Sequence, residues 1–183
     1  WTNFKLPKPL KILEEEKLYP YQKSVVEYLK TEPNDRDILW VFGDYSIGKT
    51  QLTKYLIHNN LAFGPLEGEK RHILSIVAEN TTEEAFILYL TADESIYQKH
   101  NVFDCLEKVK DGVFMSHFGV EGTKPVIMNS PHIIVFANKP PDYSKTNMDK
   151  NRFIVKCINE NMEFKDFIDD DSDEEDLEPV LKN

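Results

Sequence analysis

The first strong pattern along the chain follows Pro20, where YQKSVVEYLKT places Tyr21, Val25, Tyr28 and Leu29 on one helical face. Proline suits a first helical turn, and Pro33 predicts that this helix stops before it. DILWVFG is a short apolar run ending in glycine, the pattern of a strand buried on both faces. Residues 49–60 carry Leu52, Tyr55 and Leu56 at helical spacing, and residues 69–80 repeat Ile73, Ile76 and Val77 at intervals of three and one. A strand is predicted through AFILYL. A helix is predicted through VFDCLEKVKDG, with Val102, Leu106 and Val109 on one face and Gly112 as a left-handed cap. VFMS and KPVIM flank HFGVEGT, whose two glycines predict a hairpin. HIIVFAN is the cleanest strand, apolar from Ile133 to Ala137, and RFIVKCI over residues 152–158 is the last. Helices alternating with apolar strands predict an α/β fold with a central parallel sheet covered on both faces, a three-layer sandwich.

Charge divides the chain more sharply than hydropathy does. The net charge is -10, which argues against a broad basic face for nucleic acid. Residues 161–183, however, hold ten acids and two lysines, so -8 of the total lies there, and the remainder is close to neutral. The run DDDSDEED cannot pack, because neighbouring carboxylates repel and almost nothing apolar accompanies them. The expected organisation is therefore a linker and N-terminal helical segment over 1–34, an α/β domain over 35–160, and a disordered acidic tail over 161–183. Ser172, within SDEED, has the surroundings that acidophilic kinases favour. At 183 residues and 40% hydrophobic content, the chain can bury one core. No apolar run approaches the roughly 20 residues of a membrane-spanning helix. Cys105 and Cys157 lack zinc-type spacing and read as reduced thiols, which places the protein inside a cell.

The candidate chemistry is concentrated in one stretch. Residues 43–50 read GDYSIGKT, which fits G-x-x-x-x-G-K-[ST], and they lie between a predicted strand and a predicted helix. Such a loop turns its backbone N–H groups toward a phosphate chain, and glycines at the turns allow it to do so. The phosphate-binding set is Gly43, Asp44, Tyr45, Ser46, Ile47, Gly48, Lys49, Thr50 and Gln51. Lys49 is expected to reach the β and γ phosphates of ATP, and the Thr50 hydroxyl to ligate Mg²⁺. Asn138 ends a buried strand, where its carboxamide can orient a water on the γ-phosphate. A small kinase is disfavoured, since Arg36, Arg71 and Arg152 are too spread out to build a lid.

With these parts in order, the chain resembles the superfamily 3 helicase domain of Rep replication-initiator proteins of circular single-stranded DNA viruses, the circovirus, nanovirus and alphasatellite group. The stretches PLKILEEEKLYPYQ, GDYSIGKT, EKVKDGVFMSHFGVEGTK, PHIIVFANKPPD and MDKNRF carry the resemblance, over roughly residues 8–158. It implies an AAA+-like P-loop NTPase fold and an ATP-dependent, Mg²⁺-dependent DNA helicase working as a hexameric ring on single-stranded DNA. It also implies oligomerisation through the N-terminal segment, an upstream rolling-circle endonuclease domain, and action in the host nucleus. The sequence has no His-apolar-His motif with a downstream nucleophilic tyrosine, so Trp1 is expected to mark a cut near an interdomain linker. By resemblance, Lys49 and Thr50 are the phosphate-loop pair, Asn138 the sensor asparagine and Arg152 the arginine finger.

Two departures qualify this. The family's metal-holding acid falls on Thr91, with Asp93 and Glu94 two and three residues later. A hydroxyl is a poor partner for a hard dication. Either Asp93 or Glu94 substitutes as a catalytic and metal residue, or the chain is a nucleotide-binding oligomerisation module with weakened or lost hydrolysis. The family's pore hairpin carries a DNA-gripping lysine. Here Lys124 is the first candidate for that contact and His117 the second.

Overall fold

The computed structural model describes residues 9–90, 102–117 and 122–167. The helices are α1 (Pro20–Leu29), α2 (Lys49–His58), α3 (Lys70–Glu79) and α4 (Val102–Asp111). The strands are β1 (Ile38–Phe42), β2 (Phe63–Leu66), β3 (Ala85–Tyr89), β4 (Val113–Ser116), β5 (Lys124–Ile127), β6 (His132–Ala137), β7 (Phe153–Ile158) and β8 (Phe164–Asp166). One sheet runs β2-β3-β6-β1-β7-β8, and β4 and β5 form a separate antiparallel hairpin. Every pairing from β2 across to β7 is parallel, and only β8 is antiparallel to its neighbour. This is an α/β fold with a mostly parallel sheet, broadly of the Rossmannoid, phosphate-loop kind.

The alternation of side chains along β1 accounts for the layering. Ile38, Trp40 and Phe42 face one side and share a core with α3, α4 and the hairpin residues Phe114 and Val126. Leu39 and Val41 face the other side and pack with Tyr21, Val25 and Val26 of α1 and with Leu52, Tyr55 and Leu56 of α2. All five residues of β1 are buried, as are all six of β6, which explains why these strands are apolar but for His132, whose Nε2 lies 2.8 Å from the Thr31 carbonyl. Helix α1, which falls within the 1–34 segment, thus contributes to the same core as the loop-bearing strand.

The helices expected after Pro20, at Lys49, near Glu69 and at Val102 all form, and Gly112 closes α4 with φ +67. Two strands were not expected. β2 reads FGPL, a Gly-Pro step that masks its extended character, and β8 is three residues long and mostly polar. Residues 161–167, expected to open a disordered tail, instead include β8 and pack Phe167 on the core, so the fold extends past 160; residues 168–183, like Thr91, Asp93 and Glu94, lie outside the described residues.

The parallel order brings the C-terminal ends of β1, β3, β6 and β7 to one edge of the sheet. Ligands of open α/β sheets bind at that edge. β1 lies between β6 and β7, so the loop that follows β1 opens between their ends.

Candidate phosphate-binding site

The loop from Gly43 to Thr50 joins buried β1 to α2. Gly48 is the N-cap of α2 with φ +88, a left-handed conformation that side chains rarely adopt, and a Cβ there would meet Gln22 Nε2 at 2.9 Å. Ser46 also has positive φ, at 63°. The loop, with Tyr89, Leu90, Phe136 and Asn138, lines a cavity of about 350 Å³. Its only charged lining side chain among the described residues is Lys49.

Lys49 Nζ donates to the Gly43 carbonyl at 2.7 Å, the Asp44 carbonyl at 3.2 Å, the Ala137 carbonyl at 2.9 Å and Asn138 Oδ1 at 2.8 Å. Each of these acceptors is neutral. Burial pulls the Lys49 amine below its ordinary pKa, and the nearby Asp44 carboxylate opposes that shift. Asn138 is therefore brought to the loop as expected, 2.8 Å from the lysine. The Trp40 indole N–H donates to the Lys139 carbonyl at 3.0 Å and holds the turn that carries Asn138. At the α2 side, Thr53 Oγ1 lies 2.8 Å from Tyr89 OH, whose pKa burial raises while hydroxyl contacts with Thr53 and Thr50 oppose the rise.

The sequence reading missed Tyr21, Gln22 and Tyr89. Tyr21 OH donates to the Ile47 carbonyl at 2.9 Å, and Gln22 Nε2 donates to the Gly48 carbonyl at 3.0 Å. Helical spacing places Tyr21 on the apolar face of α1 and says nothing of its hydroxyl. The available signal was a glutamine two residues after Pro20, in the first turn of α1, which the fold buries fully.

Other expected site residues lie elsewhere. Arg152 sits at the opposite end of the sheet, just before Phe153, which pairs with Ile38 at the start of β1. Its guanidinium meets Glu107 at 3.6 Å and Asp111 at 3.2 Å, both on α4, and its side chain is 13% exposed. His117 is exposed just beyond β4, and Lys124 opens β5 opposite Ser116, so the two flank the hairpin's turn, and neither lines the loop cavity. The metal set expected from Thr50, Asp93 and Glu94 is represented only by Thr50, which is exposed. Among the described residues, no three His, Cys, Asp or Glu side chains converge to hold a metal.

No protein-family model matches the chain. Among curated proteins it is 28% identical over 145 residues to Para-Rep C9 of Faba bean necrotic yellows C9 alphasatellite, covering 75% of this chain and 47% of that protein. It is 31% identical over 147 residues to Para-Rep C2 of Subterranean clover stunt C2 alphasatellite, covering 78% and 49%. It is 29% identical over 143 residues to Para-Rep C3 of Milk vetch dwarf C3 alphasatellite, covering 75% and 47%. These matches support kinship with Rep-type proteins of alphasatellites. The chain spans about half the length of the curated relatives it matches.

This finding corrects the reading drawn from the resemblance. The relatives are Para-Reps; none is named as a helicase, an ATPase or a ring, and no family model supplies such an activity. The superfamily 3 helicase identity is set aside, together with the P-loop ATPase activity in its active or decayed form. ATP with Mg²⁺ as cofactors, the hexamer on single-stranded DNA, and the upstream endonuclease domain as partner are set aside with it. No helix among the described residues is long and apolar enough to cross a membrane.

Proposed function

We propose that this chain is a phosphate-group-binding module of a Rep-type replication protein. The single observation that carries the reading is the Lys49 ammonium, held only by neutral oxygens at the wall of a cavity ringed by its own loop. A cation satisfied by dipoles keeps its charge available to an anion, and the N-terminus of α2 adds a partial positive charge and free N–H groups at the same place. Residues Gly43 to Gln51 cradle the phosphates, Lys49 supplies the point charge, and Asn138 holds Lys49 in position. The finer fold assignment, an AAA+-like sandwich of the phosphate-loop class, is supported by the insertion of β1 between β6 and β7. Action in the host nucleus belongs to the same proposal and is supported by kinship with replication proteins.

The ligand chemistry is the phosphate group, free or carried by the end of a nucleic acid. Calorimetric titration with tripolyphosphate, with a nucleoside triphosphate and with a 5′-phosphorylated oligonucleotide distinguishes these sources. Binding of at least one of them that Lys49→Ala removes is the expected result. Equal binding by wild type and Lys49→Ala overturns the reading.

A further inference from the structure

Two adjacent side chains of α1 grip two adjacent carbonyls of the loop. Tyr21 OH donates to the Ile47 carbonyl at 2.9 Å, and Gln22 Nε2 donates to the Gly48 carbonyl at 3.0 Å. Both side chains are fully buried, and neither lines the cavity. Gln22 makes a second bond, accepting from the Tyr19 N–H at 2.9 Å, which closes a capping box at the start of α1. Its amide orientation follows from its partners, because a backbone N–H only donates and a carbonyl only accepts. The Gly48 carbonyl also takes the Leu52 N–H at 3.0 Å, so it is committed twice over.

A trans peptide is planar, and its C=O and N–H point in opposite directions. Drawing the Ile47 carbonyl toward Tyr21 therefore turns the Gly48 N–H away from α1. Drawing the Gly48 carbonyl toward Gln22 does the same to the Lys49 N–H. Ile47, Gly48 and Lys49 line the cavity while Tyr21 and Gln22 do not, so amides turned from α1 are turned toward it. We infer that Tyr21 and Gln22 are positioning residues that preset two loop amides toward the phosphate site before any ligand arrives. An amide already aimed needs no reorganisation on binding, so the effect falls on affinity. The absence of a Cβ at Gly48 lets Gln22 come this close.

This inference rests on the phosphate-binding reading, and its test separates the two. Tyr21→Phe removes one hydroxyl and keeps the ring. Gln22→Glu keeps the acceptor for Tyr19 and, while ionised, has no proton for the Gly48 carbonyl. Val25→Ala, on the same helix, weakens packing without touching either bond. Tripolyphosphate affinity, melting temperature and the Gly48 and Lys49 amide resonances of the ligand-free protein are measured for each. Tyr21→Phe and Gln22→Glu are expected to shift those two resonances and to weaken tripolyphosphate about tenfold each, the loss expected for one hydrogen bond. Val25→Ala is expected to lower the melting temperature and to leave affinity and resonances as they were. Unmoved resonances with wild-type affinity in both variants overturn the inference, as does an equal loss of affinity in Val25→Ala. If wild type binds no tripolyphosphate, the phosphate reading falls for that ligand, while the ligand-free resonances still decide whether α1 sets the loop.

Discussion

The two ends of the parallel sheet each hold a cation, and they hold it differently. At the C-terminal end, Lys49 is surrounded by three carbonyls and a carboxamide. At the N-terminal end, Arg152 lies between the carboxylates of Glu107 and Asp111 and donates to the Arg36 carbonyl at 3.5 Å. Partial dipoles satisfy the hydrogen bonds of a cation without cancelling its charge, whereas carboxylates cancel it. The first arrangement leaves a charge for a ligand. The second joins α4, β7 and the segment before β1 and leaves little charge to offer. A positive side chain near a strand end is thus informative only once its acceptors are known.

The largest expected effect comes from deleting the first cation. Lys49→Ala should weaken tripolyphosphate about a hundredfold, the order expected for a charge-assisted contact, with little change in melting temperature. Asn138→Asp makes one end resemble the other, by setting a carboxylate where Oδ1 now accepts from Lys49 at 2.8 Å. About a thirtyfold loss of affinity is expected, read by the same titration, with the fold intact by circular dichroism. A wild-type affinity in that variant would mean that the neutrality of the acceptors is immaterial. Arg152→Ala should leave affinity unchanged and cost about 1 kcal/mol in urea denaturation, since its partners are half exposed. A loss of affinity there would show that the two ends are coupled.

The smallest effect concerns pH. Lys110, buried on α4, donates to the Pro131 carbonyl at 2.7 Å, and burial lowers its pKa to about 8. The unfolded chain keeps that proton to a higher pH, so stability rises as pH increases above about 8. From about pH 9 the rise is opposed by Cys105, whose thiol burial pushes up to about 12, and later by Tyr21 and Tyr28, both raised to about 12. Urea midpoints at pH 7.5 and pH 9 should differ in wild type, and Lys110→Met should flatten the difference. An equal rise in the variant would assign it to another group.

Much of the fold was legible because the buried strands are almost entirely apolar. β1 and β6 contain no position that meets water, so ILWVF and IIVFA announce themselves, and glycines at Gly43 and Gly112 end their elements where expected. β2 and β8 escaped because position in the sheet, and not side-chain pattern, makes them strands. At the site, the loop and Asn138 were readable from motif and strand end. Tyr21 and Gln22 were not, because their role depends on α1 packing beneath a loop 26 residues later in the chain. The ion pairs of Arg152 with Glu107 and Asp111 were not legible either, because more than forty residues separate it from both partners in the chain. Rep kinship was legible too, in PLKILEEEKLYPYQ, PHIIVFANKPPD and MDKNRF, and the matched proteins are alphasatellite Para-Reps; the helicase activity attached to it was not.

The outermost strands also limit how copies of this chain can meet. On one flank β2 contains Pro65, which has no N–H to offer, and its register slips between Phe63 and Leu66. On the other flank β8 is short, reversed in direction and carries Lys165. Among the described residues neither margin presents a long, flat template, so edge-to-edge extension of the sheet into a fibril is disfavoured on both sides. Self-association that does occur must use helices, loops or the hairpin, whose outer side shows Val113 and Ile127 to solvent at 63% and 82% exposure.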